Sequence, residues 1–127
     1  METNRKVFSI GDLGKVCTGK TPHTNNQEFY GEEYPFYTPS DMNGSRFLKS
    51  TKRYLSKLGI STVRNSIIES GSVLVSCIGS DMGKVTIAPS KGVTNQQINT
   101  ICPHDWVDSL YLYYSLCTRK RELKLSL

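Results

Sequence analysis

The stretch Gly71-Ser72-Val73-Leu74-Val75-Ser76-Cys77-Ile78-Gly79 decides the fold. It is β-branched, almost continuously apolar and bounded by glycine at both ends, the pattern of a short strand buried on both faces. Gly83-Lys84-Val85-Thr86-Ile87-Ala88-Pro89 follows across a short loop and reads as its antiparallel partner. Asn99-Thr100-Ile101-Cys102 supplies a third strand of the same sheet. A chain of 127 residues around such a sheet holds one core, so residues 1–127 are read as a single domain, with a core over about 6–121 and a tail over 122–127.

Working outward, Asp105 after Pro103 is placed as a helix cap, with Asp108 three positions on as a carboxylate variant of the capping box. Val107, Leu110, Tyr111, Tyr114 and Cys117 then share one face, and Arg119, Lys120 and Arg121 sit at the end where the helix dipole favours cations. This predicts a C-terminal helix from Asp105 to Arg121. Upstream, Val7 to Ile10 is a short apolar alternation, and residues 19–33 are turn-rich and polar, hence an exposed loop. Tyr34-Pro35-Phe36-Tyr37-Thr38-Pro39 carries two prolines and is predicted as a short edge strand entering a turn at Ser40-Asp41. Between Phe47 and Ile68 no clean period emerges, and a helical turn near Leu55 to Leu58, ending before Gly59, is the expectation. The predicted class is α+β: a small twisted, mostly antiparallel sheet with flanking short helices and a C-terminal helix.

Charge is unevenly placed. The net charge is +5, from 16 Lys plus Arg against 11 Asp plus Glu. Residues 1–41 hold four basic and six acidic side chains, and residues 69–127 hold six and five. The whole excess lies in Met42 to Ile68, which contains Arg46, Lys49, Lys52, Arg53, Lys57 and Arg64 and no acid. A cationic stretch between balanced neighbours suits a polyanion, and a solvated loop has the same composition.

Catalytic and metal chemistry find little footing. Cys17, Cys77, Cys102 and Cys117 form no CxxC pair, and His23 and His104 flank no cysteine pair, which argues against zinc and for reduced thiols. Gly79-Ser80-Asp81-Met82-Gly83-Lys84-Val85 superficially matches a phosphate loop. Its glycines are too close, however, and Val85 stands where a hydroxyl is needed. Cys77 with His104 is a formal nucleophile and base pair, but the apolar neighbours Val75 and Ile78 suit an inert core thiol. No glycine-rich cofactor fingerprint follows a strand, so no cofactor is expected in this chain. No apolar run approaches the roughly 18–20 residues of a membrane span, and Met1 to Lys6 leads into no signal-type stretch, so a cytoplasmic protein is expected.

Five short motifs in order, Gly19-Lys20-Thr21-Pro22, Tyr34 to Met42, Gly71 to Cys77, Ile78 with Gly83 to Ala88, and Thr94-Asn95-Gln96-Gln97-Ile98-Asn99, resemble a target recognition domain. The family is the specificity subunit of type I restriction-modification systems. The opening Phe8-Ser9-Ile10-Gly11-Asp12-Leu13 is similar to the start of such domains. The resemblance implies sequence-specific reading of one half of a bipartite DNA site without catalysis. S-adenosylmethionine and ATP would be used by separate modification (methyltransferase) and restriction subunits in DNA methylation and cleavage. Those subunits and double-stranded DNA are the implied partners, with a second recognition domain or a homodimer as a further arrangement. The resemblance also implies that the chain stops before the family's spacer helix. An alternative is a truncated remnant that associates through the helix from Asp105 to Arg121 without reading DNA.

The DNA-binding residues expected on this basis are Lys20, Thr21, Tyr37, Thr38, Ser40, Arg46, Lys49, Lys52, Arg53, Ser80 and Lys84. Their cations can neutralise phosphates, and the hydroxyl and amide groups can bond phosphates or base edges. The run Thr94 to Gln97 reads equally as a DNA contact or as structural bonding near a strand start.

Overall fold

The computed structural model describes residues 10–76 and 84–118, except the side chains of Ile10 and Thr118. In chain order the elements are α1 (Ile10–Leu13), β1 (Gly14–Thr18), β2 (Tyr30–Tyr37), β3 (Arg53–Leu55), α2 (Lys57–Thr62), β4 (Val73–Ser76), β5 (Val85–Ile87), β6 (Val93–Thr94), β7 (Ile98–Pro103) and α3 (Ser109–Thr118). Short 3-10 turns lie at Gln27–Phe29, Pro39–Asp41 and Arg64–Ser66.

The strand expected to organise the fold does so. β4 is buried along its whole length and sits inside an antiparallel sheet ordered β1-β7-β4-β5. Its register sets Val73 opposite both Ile87 and Ile101. Alternation along a strand sends successive side chains to opposite faces. Val73 and Val75 accordingly join Ile101, Leu112 and Leu116 beneath α3. Leu74 joins Ile98, Tyr37 and Met42 on the other face.

A second sheet, not anticipated from the sequence, has the order β3-β2-β6. β2 pairs β3 antiparallel and β6 in parallel, and it likewise divides its side chains. Tyr37 enters the core shared with the first sheet, and Phe36 enters a third core with Leu55, Ile60, Val63 and Val93 beneath α2. The layers therefore run α3, first sheet, second sheet, α2. The two sheets are tied where β1 ends: Gly19 N donates to the Ile98 carbonyl at 3.3 Å and Lys20 N to the Thr94 carbonyl at 2.9 Å. A Cβ on Gly19 would stand 2.0 Å from the Asn95 carbonyl oxygen, so only glycine permits this junction.

Four local expectations are corrected. Tyr34 to Tyr37 belongs to a central strand, not an edge, and Pro39 opens the turn that follows: Pro35 lies one residue before the first β6 pair at Phe36, where its missing N–H interrupts no β6 pairing. The helical turn near Leu55 is displaced, since Leu55 closes β3 and α2 begins at Lys57 with Ser56 as cap and Gly59 inside. Gly59 is there because a Cβ would meet the Phe29 carbonyl oxygen at 1.9 Å. The C-terminal helix starts later than Asp105: Asp108 Oδ2 accepts from Tyr111 N at 3.1 Å. Leu112 and Leu116 are its buried residues, whereas Leu110, Tyr111 and Tyr114 are exposed. Finally, Ile10 opens α1, so the apolar alternation from Val7 does not extend to it as strand; Val7 to Ser9 lie outside the described residues.

Candidate nucleic-acid interface

The acid-free segment runs from the β5 edge of the first sheet, where Leu48 N donates to the Ile87 carbonyl at 3.0 Å, to the β3 edge of the second. Two buried leucines anchor it, Leu48 and Leu55, and between and around them every cation points outward: Arg46, Lys49, Lys52, Arg53, Lys57 and Arg64 are all exposed. β3 is an edge strand, so the surface carrying Lys52 and Arg53 has a free side. Lysine and arginine on edge strands discourage strand addition and simultaneously offer charge to a ligand.

Asp41 fastens this segment to the core. Only 8% exposed, it ends the Pro39–Asp41 turn and accepts from Thr38 N at 2.9 Å and Thr38 Oγ1 at 3.1 Å. The same carboxylate accepts from Thr51 Oγ1 at 2.9 Å and Lys52 N at 3.2 Å. One acid thus clamps two loops that are ten residues apart in sequence, and it sets where Lys52 and Arg53 begin.

Tyr54, exposed, stands between two clefts. One, of about 530 Å³, is lined by Lys49, Thr51 and Tyr54 with Glu33, Ser90 and Lys91. The other, of about 380 Å³, is lined by Lys52, Arg53 and Tyr54 with Thr24, Gln27 and Tyr30. The Arg53 guanidinium lies 4.7 Å from the Tyr30 ring centroid and 5.6 Å from that of Phe36. Lys49, Lys52 and Arg53 therefore form one neighbourhood around an aromatic ring, a combination suited to backbone charge and base faces together.

The other expected residues are distributed differently. Lys20 lines a separate groove of about 220 Å³ with Ser61, Thr62, Arg64, Asn65 and Ser66. Thr21 donates to Gln96 Oε1 at 2.5 Å, joining its loop to the turn before β7. Arg46 is engaged elsewhere: it donates to the Tyr114 hydroxyl and lies across the Phe47 and Tyr114 rings. Lys84, half-buried, donates to the Met42 carbonyl at 3.4 Å. Thr38 Oγ1 and Ser40 Oγ are 2.9 Å apart, within the Asp41 network. Ser80 lies outside the described residues.

Tyr37 requires correction as a surface contact. It is 1% exposed and its hydroxyl donates to the Ser90 carbonyl at 2.8 Å. Burial pushes its phenol up to about 12. It packs the core between the sheets and borders the cleft of about 530 Å³ as part of its buried wall, with no surface free for a direct contact.

Three participants went unread: Tyr54, Asp41 and Gln27. Tyr54 follows the Lys52-Arg53 pair directly, and Asp41 is the last acid before the acid-free stretch, so both were marked by position. Gln27 carried no such signal. Asn95 resolves toward the structural reading, its Oδ1 accepting from Gln97 N at 3.0 Å across the turn, while Gln96 and Gln97 are exposed.

Cys77 lies outside the described residues. His104 is exposed and stacks on Trp106, with ring centroids 6.4 Å apart. Burial raises the pKa of the Cys102 thiol, which accepts from Ser72 Oγ at 3.5 Å. No helix among the described residues is long and apolar enough to cross a membrane.

The sequence pattern of the type I restriction modification DNA specificity domain family matches residues 2–126. The chain is 39% identical over 111 residues to the type I restriction enzyme HindI specificity subunit of Haemophilus influenzae, covering 87% of this chain and 24% of that protein. It is 31% identical over 115 residues to the MjaIX specificity subunit of Methanocaldococcus jannaschii, covering 89% of this chain and 26% of that protein. The fold resembles the HsdS subunit from Thermoanaerobacter tengcongensis with a TM-score of 0.69 at 16% identity, over 96% of this chain and 31% of that one. A chain from a structural study of type I R-M complex assembly and conformational transition aligns with a TM-score of 0.70, also at 16% identity, over 98% of this chain and 31% of that one. The chain spans about a quarter of the length of the curated relatives it matches.

Proposed function

Because the chain belongs to the family of type I restriction modification DNA specificity domains, we propose that it binds double-stranded DNA sequence-specifically and reads one half of a bipartite site. One observation carries the reading. The acid-free segment from Met42 to Ile68 is folded so that all six of its cations face solvent, and three of them, Lys49, Lys52 and Arg53, gather beside the exposed Tyr54. Lys49 and Lys52 neutralise phosphates, with Lys20 and Arg64 adding charge at their own groove. Thr24 and Gln27 in the Arg53 cleft supply groups able to bond base edges.

The chain itself performs no bond-breaking step. Methyl transfer from S-adenosylmethionine and ATP-driven cleavage belong to separate modification and restriction subunits, which the recognition domain directs to a site in the cytoplasm. A second recognition domain, or a second copy of this one, reads the other half-site. The alternative of a remnant that associates without reading DNA is set aside, because the matched family is one of DNA specificity domains.

The test is fluorescence anisotropy of the purified chain on a randomised duplex pool at low and moderate salt, followed by recovery and sequencing of bound DNA. Salt-sensitive binding with an enriched short motif supports the reading. Binding without enrichment, or no binding, rejects half-site recognition by this chain.

A further inference from the structure

Four cations lie between Arg46 and Arg53, and the fold gives one of them a different setting from the rest. We infer that Arg53 is a specificity-determining residue that reads a guanine, donating from its guanidinium fork to O6 and N7 in the major groove, whereas Lys49 and Lys52 beside it contact only the backbone. The inference rests on the DNA-recognition reading above and adds to it the chemical identity of one base.

Arg53 is preorganised. Its guanidinium packs 4.7 Å from the centre of the Tyr30 ring and 5.6 Å from that of Phe36. Both rings are fixed: Phe36 is 1% exposed, and the Tyr30 hydroxyl donates to the Pro22 carbonyl at 2.9 Å. Its backbone is equally set, paired with Phe36 in the sheet and adjacent to the Asp41 clamp at Lys52 N. An arginine stacked in this way has lost much of its rotamer freedom before any ligand arrives, and it presents a planar fork in one orientation. A phosphate contact tolerates many side-chain orientations, whereas a guanine edge rewards a fork already held in place, since its two acceptors side by side match two parallel N–H donors.

Its donors are also unengaged. Among the described residues the Arg53 guanidinium makes ring contacts and no hydrogen bond. Arg46 provides the contrast, with its guanidinium donating to Tyr114 and lying across two rings of its own. Arg53 opens instead onto the cleft of about 380 Å³ that it shares with Gln27, Lys52 and Tyr54. Lys49 and Lys52 carry compact ammonium groups on flexible stems, with no planar fork held in one orientation before the ligand arrives.

The experiment compares the full wild-type chain with Arg53→Lys, Arg53→Ala and Lys52→Ala in selection from a randomised duplex pool. The enriched duplex is then resynthesised with 7-deazaguanine, which lacks N7. The expected result is a wild-type motif with one guanine whose preference falls roughly 5- to 100-fold in both Arg53 variants, with Arg53→Lys keeping the wild-type salt dependence. Replacement of that guanine by 7-deazaguanine weakens wild-type binding and leaves the Arg53 variants unaffected. Lys52→Ala lowers affinity for all sequences alike. A wild-type motif that persists unchanged in Arg53→Lys and Arg53→Ala, or one without guanine, overturns the inference while leaving DNA recognition standing. A wild-type chain that enriches nothing overturns both together. Matching thermal melts for wild type and Arg53→Lys exclude misfolding as the cause of a lost preference.

Discussion

Replacing Asp41 by alanine is expected to destabilise the protein far more than any other single acid-to-alanine change on the described surface. The carboxylate receives two backbone N–H groups, from Thr38 at 2.9 Å and Lys52 at 3.2 Å, and the Thr38 hydroxyl at 3.1 Å. The Thr51 hydroxyl is also within reach, but its single proton has the Phe36 carbonyl as an alternative at 2.8 Å. Three donors therefore lose their acceptor. A hydrogen bond to a charged group is worth about 1.5–3 kcal/mol, and an unsatisfied buried donor costs about 1–3 kcal/mol. Water can reach the donors on Thr38 and Lys52 in part, which moderates the sum to about 2–4 kcal/mol. For a domain of this size that lowers Tm by about 8–16 °C. Asp41→Asn keeps one acceptor oxygen for the Thr38 pair and turns an N–H₂ toward Lys52 N, so the expected loss is about 1–2 kcal/mol. Urea and thermal unfolding of the three proteins measure the series. A Tm for Asp41→Ala within about 2 °C of wild type would refute the claim that this acid holds the basic segment in place.

Further changes test other parts of the architecture. Gly19→Ala brings a Cβ to 2.0 Å from the Asn95 carbonyl oxygen, and a loss of at least about 2 kcal/mol is expected from urea unfolding; a neutral result would contradict the close sheet junction. Leu112→Ala is expected to cost about 2–5 kcal/mol and Tyr111→Ala less than about 1 kcal/mol, an order that reverses if α3 instead buries Tyr111. Tyr37 holds its proton to about pH 12 when folded and to its ordinary 10.0 when unfolded. The folded state thus binds the proton more tightly, so stability is present below pH 10 and falls by up to about 2 kcal/mol as pH rises to 12. Tyrosinate absorbance should show a late component that Tyr37→Phe removes, and simultaneous titration of all seven tyrosines near pH 10 would contradict it.

Three strands of the first sheet, β4, β5 and β7, were legible as β-branched, largely apolar runs, whereas β1, a polar and mostly exposed strand paired with β7 near the other end of the chain, left no such pattern. β4 and β5 needed only local pattern, and both lie where the pattern put them. The second sheet was not legible, since β3 is three residues long and exists through pairing with β2 and the Asp41 bonds, neither of which leaves a local period. The face predicted for the C-terminal helix holds at Val107 and Cys117, which meet the core, and fails between them, because Leu110-Tyr111-Leu112-Tyr113-Tyr114 is apolar all the way round and periodicity selects no side. Packing against Val73, Val75 and Ile101 selects Leu112 and Leu116 instead, and the tyrosines can keep a polar tip in water.

The candidate interface divides similarly. Charge placement marked Lys49, Lys52 and Arg53 as a group, and all three are exposed, because an acid-free segment has no local partner to hold its cations down. It exchanged two tyrosines, however, placing Tyr37 outside and leaving Tyr54 unassigned. Strand alternation and long-range contact decide which ring meets solvent: Tyr37 is sealed by the first sheet, and Tyr54 sits on a free edge. Arg46 was grouped with its sequence neighbours, although Tyr114, 68 positions away, engages it.

The most direct test of the central claim, that DNA lies against the free edge carrying β3, is the dependence of binding on salt for wild type and for Lys49→Ala/Lys52→Ala. Each phosphate contact contributes roughly 0.9 to the slope of log affinity against log salt, so loss of two should reduce its magnitude by about 1.8. An unchanged slope, with wild type still binding DNA, would place the nucleic acid on another face of the molecule.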